Sequence, residues 1–355
     1  MRAIQLIGHG GFEKLVFKND VLKPEPKDDE VLIRVLAAGV NNTDINTRIG
    51  WYSKSITTNT NEGGEKGFSE TDDKDATWSG KSLEFPRIQG ADVCGKIVSV
   101  GKNVDQSRIA ERVIVRSMQS DPTSVVGLSC YVIGSEFDGG FAEFVTVRSS
   151  ETFKIDCNWS DVELASIPCA YSTAEGMLHR INLAKEKILI TGASGGVGSA
   201  AIQLAKRRGA YVVAQCSKSK FLEIKNLGAD EVIDRSENLV SKLGSNQFDV
   251  VVDLVAGSGW DQYLEILKPG ARYVTAGAIA GPMVNLDVRN LYLKDLTLYG
   301  CTHQPIEVFQ NLVRYIEKDE IKPLVAKTFP LEKIVEAQKE FLSKNFVGKI
   351  VLEIS

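Results

Sequence analysis

The chain has 355 residues, 43% of them hydrophobic and 25% charged, with a formal net charge of −4, which suits a globular protein of about two domains. No basic tract points to nucleic acid, and no apolar run approaches the ~18 residues of a membrane span. No signal-peptide core opens the chain, and Cys94, Cys130, Cys157, Cys169, Cys216 and Cys301 are scattered without a C-x-x-C pair, so a cytoplasmic, reducing setting is expected.

The first 50 residues read as β structure with turns. Ala3 to Ile7, Leu15 to Lys18 and Val31 to Ala38 are strand-like, and Pro24, Pro26 and the charged run Lys27-Asp-Asp-Glu30 connect them. A polar turn, Ala38-Gly-Val-Asn-Asn-Thr-Asp, then opens a short helix. Residues 53–84 carry few apolar side chains. A stretch of that length reads as a mobile insertion, either disordered or an active-site lid, with Trp78 and Phe85 available to tack it down. The β pattern resumes from Phe85 to Gly101, at Arg112 to Arg116 and at Gly140 to Val147. Closely spaced strands with glycine turns suggest a small barrel or sandwich.

From about residue 158 the period changes. Asp161 to Ser166 and Ser172 to Ile181 read as helices. A short apolar run, Ile188 to Ile190, reads as a buried strand and leads into Thr191-Gly-Ala-Ser-Gly-Gly-Val-Gly198. Val197, Ala200, Ala201, Leu204 and Ala205 then recur at helical spacing. A strand, a glycine turn and a helix in that order build a phosphate site, because the backbone can approach a pyrophosphate and the helix N-terminus offers free N–H groups. The G-x-G-x-x-G fingerprint is broken once, at Ala193, while Gly195 and Gly198 fill the other two places. Ala193, Ser194, Gly195, Gly196, Val197 and Gly198 are the candidate dinucleotide loop. Strands and helices alternate from there to Tyr299, as in a doubly wound parallel sheet. Helices at Ile306 to Lys318 and Leu331 to Leu342 precede a closing strand, Lys349 to Ile354. That strand needs a sheet to join, and the N-terminal β region is the expected host.

The motifs Ala38-Gly-Val-Asn-Asn-Thr-Asp, Gln89-Gly-Ala-Asp-Val-Cys-Gly, Gly139-Gly-Phe-Ala-Glu, the glycine loop and Leu267-Lys-Pro-Gly-Ala occur in this order along the chain. Together they resemble the medium-chain dehydrogenase/reductases, close to the zinc-free quinone oxidoreductases, over nearly the whole length apart from 53–84. The resemblance implies an α/β protein with a GroES-like β-rich catalytic domain (1–157 and 301–355) and a Rossmann domain (158–300), the active site lying in the cleft between them. It also implies a homodimer joined at the sheet edge near Leu296-Thr-Leu-Tyr299. Zinc-dependent members place metal ligands where this chain has Asn41 and Ala91; only Cys169 matches, and none of the histidines at 9, 179 and 303 takes the lost place. Catalytic zinc needs three protein ligands, so no metal is expected, and Cys169 reads as a buried small residue.

A nicotinamide enzyme that uses NADH places an acid about 20 residues past the loop, on the ribose hydroxyl. No acid occurs between Gly209 and Phe221, and Ser217 and Lys218 stand there instead, with Arg235 after the next strand. These suit the 2′-phosphate of NADPH; otherwise they are a solvated helix start. Without a Lewis acid to polarise an ordinary ketone, hydride transfer suits a quinone or an α,β-unsaturated carbonyl. Tyr52 is similar in position to the proton-donating tyrosine of related enoyl reductases, or is a packing aromatic at the rim. Asn41 resembles the asparagine lining the quinone reductase site, or caps its turn. Asp44 reads as a capping or ion-pair residue and Asp92 as structural. The expected activity is zinc-independent, NADPH-dependent reduction of a small quinone or enone. The alternatives are a non-catalytic NADPH-binding protein and an alcohol dehydrogenase-like carbonyl reductase with unusual metal ligands.

Overall fold

The structure, a computed structural model, describes residues 1–121 and 129–354. Among the described residues, the runs rich in β-branched side chains after residue 186 pair into a six-stranded parallel sheet. Its order is Glu231–Asp234, Tyr211–Cys216, Lys187–Ile190, Phe248–Asp253, Leu267–Thr275, Thr297–Gly300. Lys187–Ile190 lies at the centre, with Ile188 opposite both Val212 and Val250. The chain runs outward from it first one way and then the other, which leaves a crevice at the carboxyl ends of the strands. The long amphipathic helices Pro168–Arg180, Gly196–Arg207 and Ile306–Glu317 bury Ala174, Met177, Ala201, Leu204, Phe309 and Leu312 in the core beside that sheet.

The closing strand, Lys349–Glu353, does join the N-terminal β region. It runs antiparallel to the long strand Glu30–Val40, with Ile350 opposite Val40 and Leu352 opposite Ala38. Around that pair the described residues form a seven-stranded sheet in which Cys94–Val100, Arg112–Val115 and Thr152–Lys154 continue on one side, Phe144–Arg148 also pairs Glu30–Val40, and Val325–Pro330 flanks Lys349–Glu353. The strand Val325–Pro330 is not legible in the sequence: Ala326, Lys327 and Thr328 mix small and polar side chains at a sheet edge, where one face needs no apolar pattern. The fold class is thus α/β, with a GroES-like β-rich part and a Rossmann-type parallel sheet.

Residues 53–84 differ from the expectation of a free, disordered insertion. They form no helix or strand, yet Ala76 is fully buried and Ile56, Thr60, Thr77 and Leu83 are buried too. Two contacts fasten the segment to different parts of the protein. The Thr60 N–H donates to the Ile279 carbonyl (3.2 Å) beyond the parallel sheet, and the Ser79 N–H donates to Glu136 (3.0 Å) in the β-rich part. The polar composition reflects satisfied turns rather than lack of structure: Asn59, Asp72 and Thr77 all accept backbone N–H groups of their own segment.

Candidate active site and coenzyme cleft

The crevice at the switch point of the parallel sheet opens into a cleft of about 860 Å³. After the strand Lys187–Ile190 the chain turns at Gly192, whose φ of +56° favours glycine. Gly195 caps the helix Gly196–Arg207 and lines the cleft with Ser194 and Gly196. A Cβ on Gly195 would meet nothing nearer than 3.5 Å, so a phosphate can come against this backbone and the first N–H groups of the helix. Gly198 serves packing, since a Cβ there would lie 2.4 Å from the Gly192 carbonyl oxygen. Ala193 is buried, its N–H bonded to the Gln215 carbonyl (3.1 Å), and Val197 packs against the core.

Ser217 and Arg235 line the cleft, as do Glu223 and Glu237. Lys218 does not. Residues 218–220 make one 3₁₀ turn, and with about three residues per turn the side chains of 218 and 220 point to different sides. Lys218 is exposed near Asp234, whose carboxyl is held below its usual range by the Ser236 N–H and hydroxyl, with Lys218 adding to the effect. Lys220 faces the cleft instead, and its ammonium donates to Ser194 Oγ (3.2 Å) and to the Lys344 carbonyl (2.6 Å). Lys220 stands two residues beyond Lys218 in the same basic run. Asn42, Asn59, Asn61 and Lys344 also line the cleft, and no local pattern marks them, because three separate segments must fold together to bring them there. An open glycine backbone at a helix N-terminus, beside Ser217 and two cations, fits a nicotinamide dinucleotide.

The opposite end of the site is built on a buried ion network. Lys349 Nζ pairs with Asp92 Oδ2 at 2.8 Å, and it also donates to the Val40 carbonyl (3.1 Å) and to Asn41 Oδ1. Asn41 Nδ2 donates to Asp92 Oδ2 (2.8 Å) and to the Gly39 carbonyl (3.3 Å). Both amide protons of Asn41 are therefore used inside the protein. The other Asp92 oxygen accepts the Cys169 N–H (2.6 Å) at the start of the helix Pro168–Arg180. Asn41 also precedes the helix Asn42–Ile49, and its N–H donates to Asp44 (2.7 Å). Burial pushes the Asp44 carboxyl up to about 7, opposed by that Asn41 N–H.

Ala91 and Cys169 meet in a small apolar cluster with Met118 and Val132, and Trp78 of the 53–84 segment packs against it. Tyr52 stands edge-on to Trp78, ring centroids 5.4 Å apart, and its hydroxyl donates to Thr43 Oγ1 (3.3 Å). Burial holds the Tyr52 phenol and the Cys169 thiol well above their usual ranges. Among the described residues no group of three or more His, Cys, Asp or Glu side chains gathers where it could hold a metal ion.

Two family models match the chain: an alcohol dehydrogenase GroES-like domain over residues 27–157 and a zinc-binding dehydrogenase over 196–318. The chain is 28% identical to the quinone oxidoreductase of Rattus norvegicus over 368 aligned residues, covering 99% of this chain and 97% of that protein. It is 29% identical to the acryloyl-coenzyme A reductase of Sulfurisphaera tokodaii, covering 99% and 100%. A crystal structure from Sinorhizobium meliloti, provisionally described as an alcohol dehydrogenase, superposes with a TM-score of 0.89 at 42% identity over 100% of this chain and 97% of the other. The sheet order, the glycine loop and these similarities agree: the chain belongs to the medium-chain dehydrogenase/reductase superfamily of oxidoreductases, in its quinone-oxidoreductase-like branch, with no classical zinc-binding site among the described residues.

Proposed function

We propose that the protein is a zinc-independent, NADPH-dependent reductase of a quinone or an α,β-unsaturated carbonyl. The observation that carries this reading is the pairing of two sites. One is a dinucleotide cleft carrying Ser217, Lys220 and Arg235; the other is a catalytic end where Asn41 and Ala91 take the places of metal ligands. Residues 1–157 with 301–355 then act as the catalytic unit and 158–300 as the coenzyme unit. NADPH, when bound, supplies the hydride. Gly195, Gly196 and the helix N-terminus hold its pyrophosphate, while Ser217 and Arg235, with Lys220 beside them, receive the ribose phosphate. A carbonyl acceptor has no Lewis acid to polarise it, so it must already be electron-poor. The names of the quinone oxidoreductase and the acryloyl-coenzyme A reductase support such acceptors. Tyr52 stays protonated because burial opposes its ionisation, and it holds a proton at its hydroxyl, beside Thr43, for the reduced acceptor. Asn41 keeps Lys349 and Asp92 in place rather than donating to the acceptor.

The test is NADPH oxidation with a panel of quinones, enals and enones in the presence of a metal chelator. Turnover of at least one class is expected. Tight NADPH binding with no turnover on the panel would favour a non-catalytic coenzyme-binding protein. Activity lost together with stoichiometric zinc would favour a metal-dependent carbonyl reductase.

A further inference from the structure

The β-rich part bridges the cleft at two places along the ends of the parallel strands. After Tyr211–Cys216 and Lys187–Ile190, the Lys220 ammonium donates to the Lys344 carbonyl (2.6 Å) and the Gly348 N–H to the Ser194 carbonyl (3.2 Å). Lys349 follows at once, on a strand of the β-rich sheet and paired with Asp92. After Leu267–Thr275, the N–H and the hydroxyl of Thr60 both donate to the Ile279 carbonyl (3.2 and 3.5 Å). Ile279 and Ala280 line the cleft there, with Asn59 and Asn61. The Ile279 loop is itself fixed to the strand ends, because the Ala280 N–H donates to the Val255 carbonyl (2.9 Å).

The turn that carries Thr60 is held by the other part of the protein. Trp51 Nε1 donates to the Thr58 carbonyl (2.9 Å), and the fully buried Arg48 donates to the Gly64 carbonyl (2.6 Å). Asn59 Oδ1 accepts the N–H groups of Asn61 (3.0 Å) and Glu62 (3.3 Å), which closes the turn on itself. Thr60 is only 3% exposed and does not line the cleft. The two bridges differ in strength. The first is anchored by a sheet strand and a buried ion pair, whereas the second depends on one residue of a turn outside any helix or strand. Segments held by so few bonds open at the lowest free energy.

We propose that residues 58–64 form a latch over the Ile279 end of the cleft, and that the coenzyme enters and leaves when the Thr60–Ile279 contact opens. The proposal rests on the reading of this cleft as the dinucleotide site. A dinucleotide with its ribose phosphate at Ser217 and its pyrophosphate on the glycine loop extends towards Val255 and Ile279, beneath Asn59 and Asn61. The latch contact joins two protein groups and Thr60 stays outside the cleft lining, so it opposes entry as much as exit. Breaking it lowers both barriers alike and leaves the affinity where it was. A side chain that binds the coenzyme behaves otherwise: its loss speeds exit and weakens affinity.

Stopped-flow fluorescence of NADPH and NADH gives both rates, association from the concentration dependence and release from displacement by excess ADP-ribose. Thr60→Pro, which removes the N–H of the latch, should raise both rates by about two- to tenfold, the worth of one hydrogen bond. The ratio of the rates should stay constant, and NADH should respond as NADPH does. If Thr60→Pro does not fold, Trp51→Phe frees the same turn from its other side by removing the indole N–H, and both rates should again rise together. Unchanged rates in the folded variant would overturn the proposal. So would faster release with weakened affinity, which marks a lost coenzyme contact, or a change confined to NADPH. If neither coenzyme binds the wild type, the reading of the cleft itself fails, and the latch with it.

Discussion

Lys349 and Asp92 stand 257 positions apart in the chain and 2.8 Å apart in the fold, both almost wholly buried. The pair joins the closing strand to the Asn41 side of the candidate site, and the Lys349 stem lies against the glycine loop, where a Cβ on Gly196 would come within 2.7 Å of Lys349 Cδ. Removing one member leaves a buried charge without compensation, which costs about 3–5 kcal/mol. Asp92→Asn should therefore lower stability by about that amount in urea denaturation, and replacing both partners by apolar residues should recover part of it. A loss in Asp92→Asn below about 1 kcal/mol, the range of exposed pairs, would mean that the pair is solvated.

Coenzyme choice should depend on Arg235, with Lys220 contributing, and not on Lys218. A charge-assisted hydrogen bond to the ribose phosphate is worth about 1.5–3 kcal/mol, or about ten- to a hundredfold in affinity. Arg235→Ala should raise the KM for NADPH by such a factor and leave NADH nearly unchanged. Lys218→Ala should alter neither, because its side chain is exposed outside the cleft lining. A selective loss in Lys218→Ala would show that the turn rearranges when the coenzyme binds.

Tyr52→Phe should lower kcat with an enone by about a hundredfold, the scale of general acid catalysis. The dissociation constant of NADPH should not move, because Tyr52 is not part of the cleft lining. Unchanged enone turnover in a folded variant would reduce Tyr52 to a packing role beside Trp78.

Trp78 fills the space next to Ala91 and Cys169 and stands against Tyr52. Trp78→Ala should widen the acceptor side. The ratio of kcat/KM for phenanthrenequinone over benzoquinone should rise by about tenfold, as expected when a wall of an apolar pocket is removed. Trp78→Phe should give an intermediate ratio. An unchanged ratio in both variants would separate the 53–84 segment from substrate selection.

A homodimer is expected at the free edge of the parallel sheet. Thr297–Gly300 is its last strand; Leu298 on that strand and Tyr292 and Leu293 of the preceding helix are exposed. Unpaired strand edges invite a second chain, and a two-fold contact closes the assembly. Light scattering at micromolar concentration should give twice the chain mass of 38.8 kDa, and Leu298→Lys should shift it towards the monomer. A monomeric wild type would refute the assignment.

The amino-acid sequence by itself determined the alternation of strands and helices after residue 186, the glycine turn between Ile190 and Val197, and the absence of metal-ligand side chains at 41 and 91. These are local properties: a period of two or 3.6 residues, a backbone that only glycine accepts, and the chemistry of single side chains. Only the tertiary structure decided which cation of Ser217-Lys-Ser-Lys220 faces the cleft, because one 3₁₀ turn rotates Lys218 away and Lys220 inward. It also decided that both amide protons of Asn41 are spent on Gly39 and Asp92, and that Lys344 reaches the cleft beside Asn42. The Asn41–Asp92 and Lys344–Asn42 contacts join segments 51 and 302 positions apart, and a pairing over that distance leaves no periodic trace in either partner. Residues 53–84 mark the same boundary: hydrogen bonds to Ile279 and Glu136 hold a stretch whose composition alone has too few apolar side chains to fold.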